Sequence, residues 1–423
     1  MDFDVAEAAE GVRATLLPAL DIVAERVHEA TVPAWCSTRG WSDFLLGLGQ
    51  AELERCEAEG LAFVAATLLG APANLAELAA RVRVLSDLPT LETLSTSQES
   101  EDYRGVSSRK REQLSSLLGA LPALAAPAAR IVDVGAGSGH FTRLAASHFS
   151  RAALGLERNP ERVESASTRA LAQGGDAALF AEFAVIDAGR EPLLLRSDDL
   201  AIGLHACGEL GDALVSAVAE SGADLALVSC CLQKISALTR SPLSSRGLPL
   251  ERETLGLSNL TSQARGVETE IQLTMRARQA RYALRRLLLA RGLDIPPGAE
   301  MHGINRRRAH AGLRDITDRA LLQRGLAAAS NAEVDEHERA AARHFEVIRR
   351  LSLPRNMLAR AVELSVVLDR AMRLRECGYA VCVATLFDRA VTPRNIALFA
   401  SRDGTRLPPV RALGTTPAPS ALR

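Results

Sequence analysis

From Arg130 onward the chain alternates short apolar runs with helical stretches, and this rhythm restricts the fold more than any other feature. RIVDVG (130–135), AALGLE (152–157), FAVIDA (183–188), DLAIGL (199–204) and ADLALVS (223–229) each have strand length and strand composition. Each is followed by a segment of helical character. That pattern predicts an α/β fold with a doubly wound, mostly parallel sheet, because parallel neighbours need a long crossover between them. The alternation stops near Ser236, where an arginine-rich helical stretch runs to about Leu353. It returns with the helix NMLARAVELSVVLDRAMRLRECG and the strands YAVCVATLF and NIALFAS. The expected organisation is a helical domain over 1–100, a Rossmann-like core over 101–235 and a helical insertion after the fifth strand over 236–353. The last helix and strands of the core follow over 354–405. A Pro-, Ala- and Thr-rich tail, 406–423, reads as disordered.

Composition removes several function classes. A chain of 423 residues exceeds one ordinary core, so two or more domains are expected. The formal net charge of -1 gives no global pull toward nucleic acid or an anionic membrane. The charge is nonetheless uneven, with acids gathered in 1–100 and arginines in 240–325. Such asymmetry reads either as an anion-binding surface or as solvated helix faces. Lys110 and Lys234 are the sole lysines, a bias of composition rather than of function. The N-terminus MDFDVAEAAEGV lacks the basic and apolar regions of a signal peptide. The most apolar stretch, Leu61–Ala80, is broken by Pro72, Asn74 and Glu77, so no membrane association is expected. Seven scattered cysteines without framework spacing imply free thiols and a cytoplasmic location. Cys36, Cys56, Cys377 and Cys382 read as core residues.

RIVDVGAGSGHFTRLA carries the most specific signal. A strand ends at Val134, and Gly135, Ala136, Gly137, Ser138 and Gly139 then form a loop before a helix near His140. Glycines let the backbone turn sharply and approach a ligand at a helix N-terminus. A dinucleotide enzyme would favour G-x-G-x-x-G. The spacing here is G-x-G-x-G, with Asp133 two residues ahead, where a carboxylate suits a cationic ammonium and not a pyrophosphate. Glu157, at the end of the next strand and followed by Arg158, can take both ribose hydroxyls. Asp187 and Ala188, at the end of the third strand, can read an adenine amino group. Ammonium, ribose and adenine in that order describe S-adenosylmethionine (SAM), the expected cofactor. A dinucleotide site or a decayed, non-binding domain is the alternative.

The pattern resembles the class I SAM-dependent methyltransferases, which implies a seven-stranded sheet whose last strand is antiparallel. GLHACGEL followed by VSCCLQKIS also resembles a subfamily with an H-x-C-G motif and a Cys-Cys pair. That subfamily includes methyltransferase-like and "rRNA adenine dimethylase domain-containing" proteins, and tRNA 2′-O-methyltransferases carry a similar pairing. SSRKREQL resembles a basic segment ahead of the glycine loop, WSDFLLGLGQAEL the subfamily's N-terminal region, and the TPRN turn (Thr392–Asn395) also recurs there. The resemblance covers about 40–60, 105–235 and 355–400. The chain departs from it after Arg109-Lys110-Arg111, where no His follows, and at Gln233-Lys234.

Beyond the carboxyl ends of the fourth and fifth strands, His205, Cys207, Cys230, Cys231 and Lys234 can converge beside a transferable methyl group. Four readings stay open. His205 is a general base. A cysteine attacks a pyrimidine ring carbon, its thiol activated by a helix N-terminus or Lys234. The histidine and cysteines hold zinc, although adjacent cysteines rarely both reach one tetrahedral ion and C-x-x-C is absent, so no metal is assigned. Or the small thiols fill a tight strand end while His205 bonds the backbone or SAM. His205 therefore counts both as a catalytic and as a cofactor-contacting candidate. No Asn/Asp-Pro-Pro-aromatic segment follows the fourth strand, which argues against base N6 methylation.

Arg276, Arg278, Arg281, Arg285, Arg286 and Arg306-Arg307-Arg308 make the insertion a candidate acceptor lid, and with Arg109–Arg111 they favour RNA (rRNA or tRNA) as acceptor. Aromatic residues, at 4%, leave few rings to stack on bases. A protein or small-molecule acceptor, or a non-catalytic SAM-binding protein, are the competing classes.

Overall fold

The computed structural model describes residues 3–93, 103, 106–175, 180–187, 190–262, 268–388, 391–392 and 394–411. The chain divides into two compact units. One is a sheet unit formed by 1–18, 84–262 and 359–423. The other is a helical unit formed by 19–83 and 263–358.

The strands of the sheet unit are β1 (Thr90–Leu91), β2 (Arg130–Val134), β3 (Ala152–Glu157), β4 (Ala181–Val185), β5 (Asp199–Ala206) and β6 (Asp224–Ser229). They continue with β7 (Thr239–Arg240), β8 (Leu250–Glu251), β9 (Ala380–Thr385), β10 (Ile396–Ser401) and β11 (Val410–Arg411). The sheet order is β11-β1-β9-β10-β6-β5-β2-β3-β4, while β7 and β8 form a separate hairpin. β2 pairs in parallel with both β3 and β5, and β5 with β6. β10 is antiparallel to both of its neighbours, β6 and β9. The seven expected strands are therefore β2 to β6, β9 and β10, with the last one antiparallel.

The chain builds outward from β2 through β3 to β4, then crosses back to β5 on the other side of β2. That reversal is the topological switch point where open α/β sheets bind ligands. β6 is buried along its whole length, as a central strand covered on both faces must be. Leu114, Leu118, Ile131, Phe141, Ile202 and Phe399 join one core on the sheet. The helix Val5–Leu16 packs on the helix Ala359–Glu376, so the first turns of the chain belong with the sheet.

Two short strands extend the sheet beyond the expected seven. β1 pairs with β9 and with β11. β1 comes from a stretch read as helical, and β11 from one read as disordered. Two residues are too few to show a period, and only the exposed edge of β9 makes them strands. Residues 412–423, and most of the linker at 95–105, lie outside the described residues.

The helical unit joins segments that the sequence reading keeps apart. The helices Glu268–Ala290, Leu313–Gln323 and Asn331–Met357 share a core that includes Leu284, Leu287, Leu288, Ile316 and Leu321. The helices Ser42–Gly47 and Gln50–Glu59 pack against Asn331–Met357. Residues 236–262, expected at the start of the insertion, sit with the sheet unit instead. None of the described helices is long and apolar enough to cross a membrane.

Candidate functional site

The loop after β2 has the geometry its glycines allow. Gly135, Gly137 and Gly139 have φ of 82°, 58° and 71°, a region costly for any residue with a Cβ. Gly139 is doubly constrained, since a Cβ there would lie 2.6 Å from the Phe183 ring and 2.8 Å from Ala166. The backbone N–H groups of Gly135 and Ala136 donate to Leu156 O at 2.8 and 3.0 Å, tying the loop to the end of β3. Gly139 N–H donates to Ala136 O, and the helix His140–Phe149 starts at once.

Glu157 ends β3 beside that loop. One carboxylate oxygen accepts from Gly137 N–H at 3.0 Å and the other from Asn159 N–H at 3.1 Å. The carboxylate is thus held at the loop mouth, where the sequence placed it. Arg158 is exposed, and Ser138 O accepts from Arg169 at 3.5 Å. Asp187 follows β4 and faces Arg190 at 3.8 Å. Ile186 N–H donates to Glu157 O, so the β3 and β4 ends adjoin. Ala188 lies outside the described residues.

Asp133 is turned inward. It is buried, and Oδ2 accepts from Thr142 Oγ1 at 2.7 Å, which pins the helix after the loop. Burial raises its pKa from 3.8 to about 6, against the pull of Thr142 and of the Lys110 ammonium. Its support for a bound ligand therefore runs through the loop it braces.

The β5 end departs from regular strand geometry. The register shifts between Leu204 and Ala206, and His205 between them has φ 65°. A bulge of this kind re-aims a side chain, and left-handed backbone at a non-glycine residue is strain of the sort that gathers at functional sites. His205 Nε2 lies 3.1 Å from Gln113 Oε1. An amide oxygen only accepts, so in this assignment Nε2 carries the proton and Nδ1 keeps its lone pair. Burial, with Lys110, Arg109 and Arg394 adding positive potential, lowers the imidazole pKa to about 4. The ring is neutral near pH 7.

Cys207, Cys230 and Cys231 come together, with the three Sγ atoms all within 4.8 Å of one another. Cys207 and Cys230 are 2.9 Å apart. The hydrogen bond from Cys230 drives the Cys207 thiol down, with Lys234 contributing, and the same contact pushes Cys230 up. Lys234 is exposed, and its carbonyl accepts from Glu209 N–H at 3.1 Å.

Two buried groups that the sequence did not single out hold this arrangement. Gln113 fixes the His205 tautomer. Arg370 donates to Gly208 O at 2.7 Å, Ser229 Oγ at 2.6 Å and Asp212 at 2.8 Å. It thereby clamps the residues next to Cys207 and Cys230. Asp212 also pairs with Arg240, which reaches Asp369, giving two arginines and two carboxylates with balanced charge. The available signal was the charged Asp369-Arg370 pair directly after the apolar run Val366–Leu368. Gln113 gave none, because its partner is 92 residues away in the chain.

The arginines expected to meet an acceptor divide sharply. Within the helical unit Arg281 pairs with Glu300 at 2.8 Å and Arg285 with Glu29 at 2.8 Å. Arg286 stacks over Tyr282, and Arg278 contacts Met275. Arg276, Arg306 and Arg307 are exposed, and Arg308 faces Asp315 at 3.8 Å. In the sheet unit Arg109 is exposed and Arg111 lies over the Tyr103 ring.

Residues 109–238 match the family profile of a methyltransferase domain, a stretch running from Arg109 through the glycine loop to the turn after Lys234. No curated protein sequence matches the chain. Partly similar solved structures include the YcgJ protein of Bacillus subtilis, with 25% identity over 28% of this chain and 50% of that one, at a TM-score of 0.24. A SAM-dependent methyltransferase of Thiobacillus denitrificans, solved with S-adenosyl-L-homocysteine, is 22% identical over 32% of this chain and 50% of its own, at 0.23. Magnesium protoporphyrin IX methyltransferase of Synechocystis, also with that product, is 21% identical over 31% and 61%, at 0.23. The chain spans about half the length of most of the solved structures it matches. The strand order makes the sheet Rossmann-like, and residues 109–238 within it match a methyltransferase-domain profile. That match, with the loop geometry, supports SAM as its cofactor.

Proposed function

We propose that this protein transfers a methyl group from SAM to an RNA acceptor, rRNA or tRNA. The observation that carries the SAM half is the left-handed glycine loop with the Glu157 carboxylate held at its mouth, at the switch point of the sheet. Glu157 is the residue for the ribose hydroxyls and Asp187 for the adenine side, while Asp133 braces the loop. His205 is the acceptor-side candidate, since its free Nδ1 can take a proton from a hydroxyl or nitrogen nucleophile. Arg109, Lys110 and Arg111 precede the domain, and Lys110 lies near enough to perturb both Asp133 and His205. The three are candidate cations for phosphates in the sheet unit, as exposed Arg276, Arg306 and Arg307 are, separately, in the helical unit.

A second reading is favoured by one observation. Arg281, Arg285, Arg291 and Arg349 are already paired with carboxylates, so the basic surface is smaller than the arginine count implies. A protein or small-molecule acceptor needs no such surface.

Calorimetry with SAM tests the first half. E157A is expected to weaken binding at least about tenfold, equivalent to about 1.4 kcal/mol, and G139A to do the same. A wild-type protein that takes up no SAM removes the whole reading. Tritiated SAM incubated with RNA and protein fractions separates the acceptors. Label in protein or small molecules alone sinks the RNA assignment and leaves methyl transfer standing.

A further inference from the structure

The thiols at the β5 and β6 ends are placed together more closely than strand geometry permits. Successive residues of a strand point to opposite faces. Adjacent cysteines rarely both reach one tetrahedral ion, and within a strand Cys230 and Cys231 would point to opposite faces. The structure removes the objection. β6 stops at Ser229, and the chain enters a turn closed by Lys234 N–H on Cys231 O at 3.1 Å. Both Sγ atoms then fall on one side, with Cys207 arriving from the β5 end.

We propose that Cys207, Cys230 and Cys231 form a three-thiolate site for a soft divalent cation, zinc above all, with a fourth position open to water or another ligand. Zinc takes thiolates at about 2.3 Å in tetrahedral geometry, which sets the sulfurs about 3.8 Å apart. The cluster fits inside 4.8 Å, and binding would require the Cys207–Cys230 contact of 2.9 Å to open toward that spacing. Thiolate donors select zinc over magnesium or calcium, which prefer oxygen.

The surroundings are those of a built site. The backbone on both sides is fixed, because Arg370 holds Gly208 O and Ser229 Oγ with one guanidinium. The ligands are thus presented from pinned positions, as a preorganised metal site requires. Gln233, in the same turn, has its amide oxygen buried without a hydrogen-bond donor. Lys234 contributes positive potential at Cys207, which offsets the net negative charge of three thiolates on one divalent ion. On binding, those thiols still protonated release their protons to solvent. Nothing in this depends on methyl transfer.

The test is metal content of the full-length chain, reduced, stripped with chelator and re-exposed to zinc, then read by elemental analysis. About one zinc per chain is expected, falling to near zero in C207S and in C231S and unchanged in C377S, whose thiol lies elsewhere. Circular dichroism and a melting curve show whether each variant is folded. Cobalt(II) added to the wild-type chain gives a second readout that needs no variant, a thiolate-to-cobalt charge-transfer band. Zinc uptake by wild type no greater than by C207S overturns the proposal. So does uptake that C207S and C231S retain in full. A reduced wild-type chain that binds no metal, and on oxidation loses two hydrogens by mass between Cys207 and Cys230, overturns it in favour of a redox pair.

Discussion

In the sheet unit, Arg370 is buried among Asp212, Ser229 and the carbonyl of Gly208, and its partners are the ends of two central strands. In the helical unit, Arg349 is half-buried, and its partner is Glu57, 292 residues earlier, in a bidentate pair at 2.6 and 2.9 Å. The first arrangement fixes loops beside a site, while the second joins two distant segments into one fold. Arg285 with Glu29 repeats the second pattern. A buried ion pair is weak evidence for stability in itself, because desolvation offsets the attraction. What differs is which structural consequence follows when a partner is removed.

The sharpest way to break that contrast is R370A. It takes the donor from Ser229 Oγ and leaves the Asp212 and Asp369 carboxylates sharing Arg240 as their one cation among the described residues, at about 3–5 kcal/mol. Urea denaturation should show that loss, and SAM affinity should fall with it. A stable R370A with intact site chemistry would mean the clamp is dispensable.

Asp133 sharpens the comparison from the pH side. Its folded pKa, about 6, stands above the ordinary 3.8. The fold therefore retains a proton that the unfolded chain releases between those values. This stabilisation is complete below the ordinary pKa and is lost as pH rises through about 6, a change on the order of 3 kcal/mol. Denaturation midpoints at several pH values should show that slope in wild type and a flatter one in D133N. Equal slopes would place the ionised carboxylate in a better-solvated setting than the structure shows.

E57A should act more weakly than R370A, at about 1–3 kcal/mol, because Arg349 keeps Glu346 at 2.6 Å. A double-mutant cycle with R349M measures the coupling. Additivity would show that the segments are joined by their apolar core alone. At the small end, R306A with R307A should change stability by less than about 0.5 kcal/mol. If RNA is the acceptor, the same pair should reduce the salt dependence of RNA affinity. No change in that slope would take these arginines out of the acceptor surface.

The sequence was enough to read the sheet and the loop. Five apolar runs separated by helices left little choice but a doubly wound sheet, and three glycines at G-x-G-x-G spacing named the turn that carries the left-handed backbone. Glu157 was legible because its place at a strand end follows from local order. These are short-range signals, set by period and by the steric freedom of glycine. The two extra edge strands, β1 and β11, gave no such signal.

The tertiary structure alone decided the rest. The excess of acids in 1–100 and of arginines in 240–325 suggested a surface for anions, or solvated faces. Glu29 with Arg285 shows part of it to be complementary charge inside one helical unit. The inward turn of Asp133, the Gln113 partner of His205 and the Arg370 clamp likewise depend on residues far apart in the chain. The convergence of Cys207 with Cys230 and Cys231 is of the same kind. Composition and period specify which groups a segment carries, but burial and the contacts of the fold determine which of them are already satisfied and which remain for a ligand.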